Sequence, residues 1–419
     1  MSARSGIAIF ERLGSAVRVA VLALGAALAA GLPAQAAPTQ PFPDFIKSFE
    51  AKAVAAGVSA AVYEKATAGL TPDPRIANLI VGQPEFDTPM WTYLDVRVSA
   101  KRIANGQAKL KANAALFSAE QQKYGVDPAI LAAIWGIETN YGAVLHDTTY
   151  IWPIVRSLAT LCWQQRGRQE KDEAEFIAAL KLVQRGPLDA NTLVGSWAGA
   201  IGNFQTDPTR VLQYGTDGDG DGKIDLVDSF PDALATAATH LRGLGWQPGL
   251  DWGYEVTLPA GFDYLLADRN NPKPVSFFTG KGVARANGRP FPDQTTSVFL
   301  YVPAGKDGPK FLLTPNYLVL KSYNFSDNYA MAIGHLADRL KGGGEIAAPW
   351  PRDTKFPNLA QREAIQTALI KLGLLKGASD GRLGPITQAA YARFQASHGE
   401  VADGFITLGA YEELTAATR

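Results

Sequence analysis

The apolar run that opens on Asp127-Pro128 and closes on Glu138 constrains this chain more than any other segment. Asp127 suits an N-cap, and Pro128 suits the first helical turn, where its missing N–H is no loss. Ile130, Ile134 and Glu138 then recur every four residues, which places one carboxylate on an apolar helical stripe. Trp135 and Tyr141 flank it, and Gly136 and Gly142 let another chain come close. Desolvation disfavours a charged carboxylate, and a place near a helix C-terminus acts in the same direction. Both effects favour a carboxyl group still protonated near neutral pH, as a general acid requires.

The chain has 419 residues, enough for two or three segments, and its 47% hydrophobic and 19% charged residues are ordinary for a globular protein. Its formal net charge of zero gives no handle for nucleic acid or for electrostatic attachment to a membrane. Residues 1–36 read as a signal peptide. Arg4, Arg12 and Arg18 precede or open the apolar stretch from Val19 to Leu32, and Ala34-Gln35-Ala36 supplies a small-x-small cleavage pattern. That apolar stretch is too short for a stable membrane span. Export to the periplasm is the expectation. Cys162 is the single cysteine, in an apolar and aromatic setting that suits a buried thiol. His146, His240, His335 and His398 lie far apart, which disfavours a zinc enzyme.

Residues 42–115 and 117–185 read as helical, 232–243 and 329–340 likewise, and 250–320 carries Gly, Pro and short strand-like runs such as Ser297–Val302. Glycines 342–344 and Pro349, Pro351 and Pro357 mark a linker over 343–357. Residues 358–417 then form a module of their own. Ile365, Gln366 and Leu369 open it, and Asp380-Gly381, Gly384-Pro385-Ile386-Thr387, Phe394-Gln395 and Asp403-Gly404 follow. The Asp-Gly pairs read as tight turns.

Glu138-Thr139-Asn140-Tyr141-Gly142 resembles the Glu-Ser/Thr-x-aromatic-Gly signature of lytic transglycosylases, which cut the glycan strands of peptidoglycan. Gly195-Ser196-Trp197-Ala198-Gly199-Ala200-Ile201-Gly202-Asn203-Phe204-Gln205, then Pro208-Thr209, an acidic loop, and Tyr323-Asn324 with Tyr329 extend the likeness. The order and spacing are similar to the family B lytic murein transglycosylases (glycoside hydrolase family 103), over residues 42–342. The last sixty residues resemble the helical peptidoglycan-binding domain. The resemblance implies an α+β, mainly α fold: a lysozyme-like catalytic domain over 42–342 with a small β part, then a three-helix module. It implies Glu138 as acid and then base, with Ser196, Gln205, Tyr323, Asn324, Tyr329 and Tyr93 along the substrate. Three positions depart from the pattern: Ile201 stands where Met is usual, Thr206 where Phe is usual, and His240 where Tyr is frequent. The His240 change puts one sugar contact in doubt.

The acidic loop Asp217-Gly218-Asp219-Gly220-Asp221-Gly222-Lys223-Ile224-Asp225-Leu226-Val227-Asp228 reads as a calcium loop. Its first, third, fifth, ninth and twelfth positions are acidic, with Gly at the sixth. Asp217, Asp219 and Asp221 would supply carboxylates and Lys223 its carbonyl. Asp228 closes a loop of ordinary length; a longer loop of the family's kind would close on Asp232. A structural Ca2+ is expected.

Most glycosidases pair their acid with a second carboxylate. The matched motifs hold no evident partner for Glu138. In lytic transglycosylases the sugar's own C6 hydroxyl attacks C1 and forms a 1,6-anhydro ring. The reading is cleavage of the β-1,4 bond between N-acetylmuramic acid and N-acetylglucosamine, with peptidoglycan strands as the partner. Two alternatives stay open: a muramidase that hydrolyses the same bond, and an inactive peptidoglycan-binding protein.

Overall fold

The structure is a computed structural model that describes residues 38–76, 88–147, 149, 151–165, 168–186 and 188–419. The expected signal peptide, residues 1–36, lies outside the described residues. Among the described residues no helix is long and apolar enough to cross a membrane. The described residues divide into two compact units that alternate along the sequence: those within 1–83, 146–201 and 205–213 form the first, and those within 84–145, 202–204 and 214–419 form the second.

In the first unit the helices Phe42–Ala55, Ala60–Thr67, Ile154–Gln164 and Gln169–Arg185 pack on one another. Phe42, Phe45 and Phe49 recur at helical spacing and face inward, where Phe49 meets Phe176 at 5.1 Å between ring centres. Cys162 lies in this core at 1% exposure, and burial pushes its thiol well above the ordinary range. It is a packed side chain, as its neighbours in the sequence suggest. Strands β1 (Trp152–Pro153) and β2 (Val194–Gly195) pair antiparallel and place the glycine-rich turn at 195–200.

The second unit centres on the helix Pro128–Thr139. Asp127 caps it, accepting the Ala129 amide at 2.8 Å. Residues 130–134 are each at most 2% exposed, so this helix is buried on every side rather than along a single stripe. Helices Met90–Arg97, Ala100–Ala112, Phe230–Gly243, Pro315–Asn324 and Asp327–Leu340 share its core. Asp327 anchors the last of these: its carboxylate accepts from Lys321 at 2.6 Å, Tyr317 at 3.0 Å and Arg269 at 3.2 Å. The β part is a five-stranded antiparallel sheet. In chain order its strands are β3 (Gly253–Thr257), β4 (Lys273–Pro274), β5 (Ala284–Arg285), β6 (Ser297–Tyr301) and β7 (Lys310–Leu313), and their spatial order is β4-β6-β7-β3-β5.

Helices Leu359–Lys371, Pro385–Ser397 and Leu408–Ala417 form the C-terminal module around Ile365, Leu369, Tyr391, Phe394 and Leu414. A nearly buried glutamine fastens each Asp-Gly turn. Gln366 accepts the Gly381 amide at 2.7 Å and donates to Asp380 at 2.9 Å. Gln395 accepts the Gly404 amide at 2.8 Å and donates to Asp403 at 3.2 Å. Residues 343–357 hold no helix or strand, yet they are tied down along their length. Glu255 accepts the amides of Ala347 and Ala348, each at 2.8 Å, and Arg352 pairs with Asp95 at 2.6 Å. Trp350 packs on Trp91, and Phe356 lies between Trp91 and Phe405 at 5.8 and 6.0 Å.

Candidate active site

Glu138 occupies the last turn of the Pro128–Thr139 helix and is half-buried. The chain leaves that helix through two residues in the left-handed region, Asn140 at φ 52° and Tyr141 at φ 60°. This exit folds Tyr141 back beneath the helix. A Cβ on Gly136 would lie 2.5 Å from the Tyr141 ring, so glycine is what lets the ring in. The Tyr141 hydroxyl donates to the Arg102 carbonyl at 2.9 Å, and burial pushes its pKa up to about 12. The carboxylate therefore rides on a turn pinned from below.

Tyr329 donates a 2.6 Å hydrogen bond to Glu138 Oε1. Tyr329 is 1% exposed, and burial first, then the Glu138 charge, hold its phenol well above the ordinary range. Its phenol is thereby held in the protonated, donating form, and it orients the carboxyl group. A column of rings continues from it. Tyr323 stacks on Tyr329 at 6.2 Å and 7°, His240 lies 4.9 Å from Tyr323, and Tyr214 stacks on His240 at 5.0 Å. His240 is thus a buried rung of that column, which is what a ring in place of the frequent Tyr can do. The Tyr323 hydroxyl donates to the Phe204 carbonyl at 2.7 Å. Tyr93, 4% exposed, is near enough to act on the Tyr329 phenol electrostatically. Asn324 ends its helix half-buried, and Phe325 after it is 67% exposed at φ 60°.

Glu138, Tyr329, Tyr323 and Tyr93 come together within the second unit. Ser196 and Gln205 belong to the first. Ser196 closes its own turn: its hydroxyl accepts the Ala200 amide at 3.0 Å, and its amide donates to the Ala200 carbonyl at 2.8 Å. Gln205 sits at φ 48° at the tip of a loop that Ile201 and Thr206 close with two 2.9 Å backbone bonds. Thr206, where Phe is usual, is buried at that closure.

In the acidic loop, Asp217, Asp219 and Asp221 each bring a carboxylate oxygen within 4.8 Å of the others. Loop amides hold them in place, Gly220 and Gly222 donating to Asp217 at 2.6 and 2.8 Å. Asp232, 1% exposed, accepts the amides of Gly218 and Asp225, each at 2.8 Å, and so staples the two ends of the loop. Asp228 and Lys223 are exposed. Three converging carboxylates with no nitrogen or sulfur donor suit a hard cation.

Asn203, which is not among the expected site residues, joins the site by its contacts. Asn203 is 4% exposed, and its Oδ1 accepts the Trp135 indole N–H at 2.8 Å. Its backbone carbonyl accepts from Thr139 Oγ1, also at 2.8 Å. Both partners flank Glu138 on the helix. The sequence offered only an amide side chain inside a glycine-rich run, and its burial is a fact of the fold.

The Transglycosylase SLT domain model matches residues 41–338, and a peptidoglycan binding domain model matches 358–409. Membrane-bound lytic murein transglycosylase B of Escherichia coli (strain K12) is 30% identical over 224 residues, 52% of this chain. The match spans 58% of that curated relative's length. The crystal structure of SltB3 from Pseudomonas aeruginosa with NAG-anhNAM-pentapeptide superposes with a TM-score of 0.83 at 40% identity, covering 90% of this chain and all of that one. Escherichia coli Slt35 in complex with calcium gives a TM-score of 0.58 at 25% identity, covering 72% of this chain and 92% of that one. With residues 41–338 matched, the chain belongs to the transglycosylase SLT domain family.

Proposed function

We propose that this protein is a lytic transglycosylase acting on peptidoglycan glycan strands. The observation that carries the reading is the Glu138 carboxyl group, half-buried and aimed by the Tyr329 hydroxyl at 2.6 Å. Glu138 gives its proton to the glycosidic oxygen as the bond to C1 breaks. It then takes the proton of the C6 hydroxyl, which closes on C1 and yields a 1,6-anhydro-N-acetylmuramic acid end without adding water. General acid catalysis is strongest when the donor is held within hydrogen-bond reach, and the Tyr329 contact restricts the carboxyl to one orientation. Ser196, Gln205, Tyr323, Asn324 and Tyr93 are the proposed sugar contacts, and tyrosine faces and hydroxyls suit a ring with polar edges. Residues 358–417 are the proposed wall-binding module. Residues 1–36 are the proposed leader that directs the enzyme to the periplasm.

Mass spectrometry of muropeptides released from purified sacculi tests the reaction. Anhydro ends, one water lighter than reducing ends, are the expected product. Reducing ends alone would make the enzyme a hydrolytic muramidase, and no release at all would leave a binding protein.

The acidic loop is the proposed calcium site, with Asp217, Asp219, Asp221 and the Lys223 carbonyl as ligands and Asp228 or Asp232 closing it. Calcium there relieves the repulsion of clustered carboxylates. Binding to the folded state alone stabilises by about 4 kcal/mol at a thousandfold excess over Kd. Calcium is expected to raise the melting temperature and chelation to lower it. Asp217→Ala with Asp221→Ala removes the response. Identical wild-type melting curves with calcium and with chelator would rule the site out.

A further inference from the structure

We infer that Asn203 is a positioning residue that joins the acidic loop to the Glu138 helix, so that filling the loop with calcium firms the seat of the acid. The inference rests on the proposed catalytic and calcium readings and goes beyond both. Asn203 reaches in two directions. Towards the helix, its side-chain oxygen takes the Trp135 N–H and its carbonyl takes the Thr139 hydroxyl, each at 2.8 Å. Towards the loop, its amide donates to the Leu226 carbonyl at 2.9 Å. Its side-chain NH2 donates to the carbonyls of Leu226 and Val227 at 3.2 and 3.1 Å.

An asparagine side chain offers one acceptor oxygen and one NH2. Here the oxygen serves the catalytic helix and the NH2 serves the loop. The residue is 4% exposed, so water is a poor substitute for either partner. A second contact runs parallel to it. Phe230, the first residue of the helix behind the loop, packs on Trp135 at 4.2 Å between ring centres. The path from the loop's mouth is short. The carboxylates of Asp217, Asp219 and Asp221 set the loop backbone, and Asp232 locks its two ends. Leu226 and Val227 then pass its position through Asn203 to the residues three before and one after Glu138. Thr139 also accepts the Gly142 amide at 3.1 Å, so the turn that carries the acid has its exit held by the same group.

Carboxylates that repel one another in an unfilled loop pull against this joint, and a cation among them removes the pull. Misplacing a catalytic group by about 1 Å can cost on the order of 10²-fold in rate, so a looser joint shows mainly in kcat.

The test compares wild type with Asn203→Asp, at a temperature where both are folded. The aspartate keeps the shape and the acceptor for Trp135 but turns an acceptor towards the Leu226 and Val227 carbonyls. Calorimetric titration with CaCl2, melting curves, and kcat and KM on purified glycan strands are measured with calcium and with chelator. Wild type is expected to bind calcium and to lose about tenfold in kcat on chelation, with KM within about twofold. Asn203→Asp is expected still to bind calcium and to gain melting temperature from it, while its kcat is low and indifferent to calcium. Trp135→Phe, which deletes the indole N–H from the other side of the joint, is expected to behave the same way. It stands in if the aspartate variant does not fold. A wild-type kcat indifferent to calcium despite measured binding overturns the coupling alone. So does a wild-type-like calcium response of kcat in the variants. No binding heat in wild type overturns the coupling together with the calcium site, and activity on glycan still reports separately on the enzyme.

Discussion

Glu138→Gln is expected to lower glycan cleavage by at least about 10²–10⁴-fold while the protein stays folded. The amide has the volume of the acid, and its oxygen still accepts from Tyr329, so the 2.6 Å contact has a successor. What it lacks is a proton to give and a lone pair basic enough to take one from the C6 hydroxyl. Turnover of purified sacculi, set beside circular dichroism and a melting curve, separates loss of chemistry from loss of fold. A folded variant with most of the wild-type rate would remove Glu138 from the mechanism and leave the tyrosine column without a catalytic purpose.

Gly202→Ala is expected to destabilise the protein by about 2–5 kcal/mol. Gly202 has φ +69°, where a side chain costs about 1–2 kcal/mol, and its Cβ would stand 2.0 Å from the Leu226 carbonyl oxygen. That oxygen belongs to backbone already bonded to Asn203, so it has little freedom to retreat, and overpacking of this kind adds about 1–3 kcal/mol. Urea denaturation reads the effect as a lower midpoint. An unchanged midpoint would mean that the 224–228 backbone gives way easily, which would also weaken the case for a stiff joint at Asn203.

The helix that carries the acid was legible in the sequence because its signals are local. Asp127, Pro128 and the apolar run fix its start, and the structure begins it at Pro128. The Asp-Gly turns of the C-terminal module were legible for the same reason. The contacts that give the site its geometry are not local. Tyr329 meets Glu138 across 191 residues, and Asn203 meets Trp135 across 68. No periodicity reports such a meeting; a family resemblance brought Tyr329 to notice and passed over Asn203. The 42–342 segment reads as one block along the sequence, whereas its contacts gather into parts of two units. Composition told only part of the story at 343–357. Glycine and proline there do exclude helix and strand, but they say nothing of Glu255, Asp95 and Trp91 waiting elsewhere in the chain.

Those three residues bear on whether the C-terminal module is portable. A module on a slack tether can be cut away at its boundary and grafted onto another enzyme. This one is strapped: cutting at residue 343 strips Glu255 of two amide donors, Asp95 of its arginine and Trp91 of both aromatic neighbours. The remaining body would present a bare indole where Trp350 and Phe356 had covered it. A transplant would need the receiving surface as well as the helices. Body, strap and module are in this sense a single inheritance, and a change on one side of the seam calls for an answer on the other.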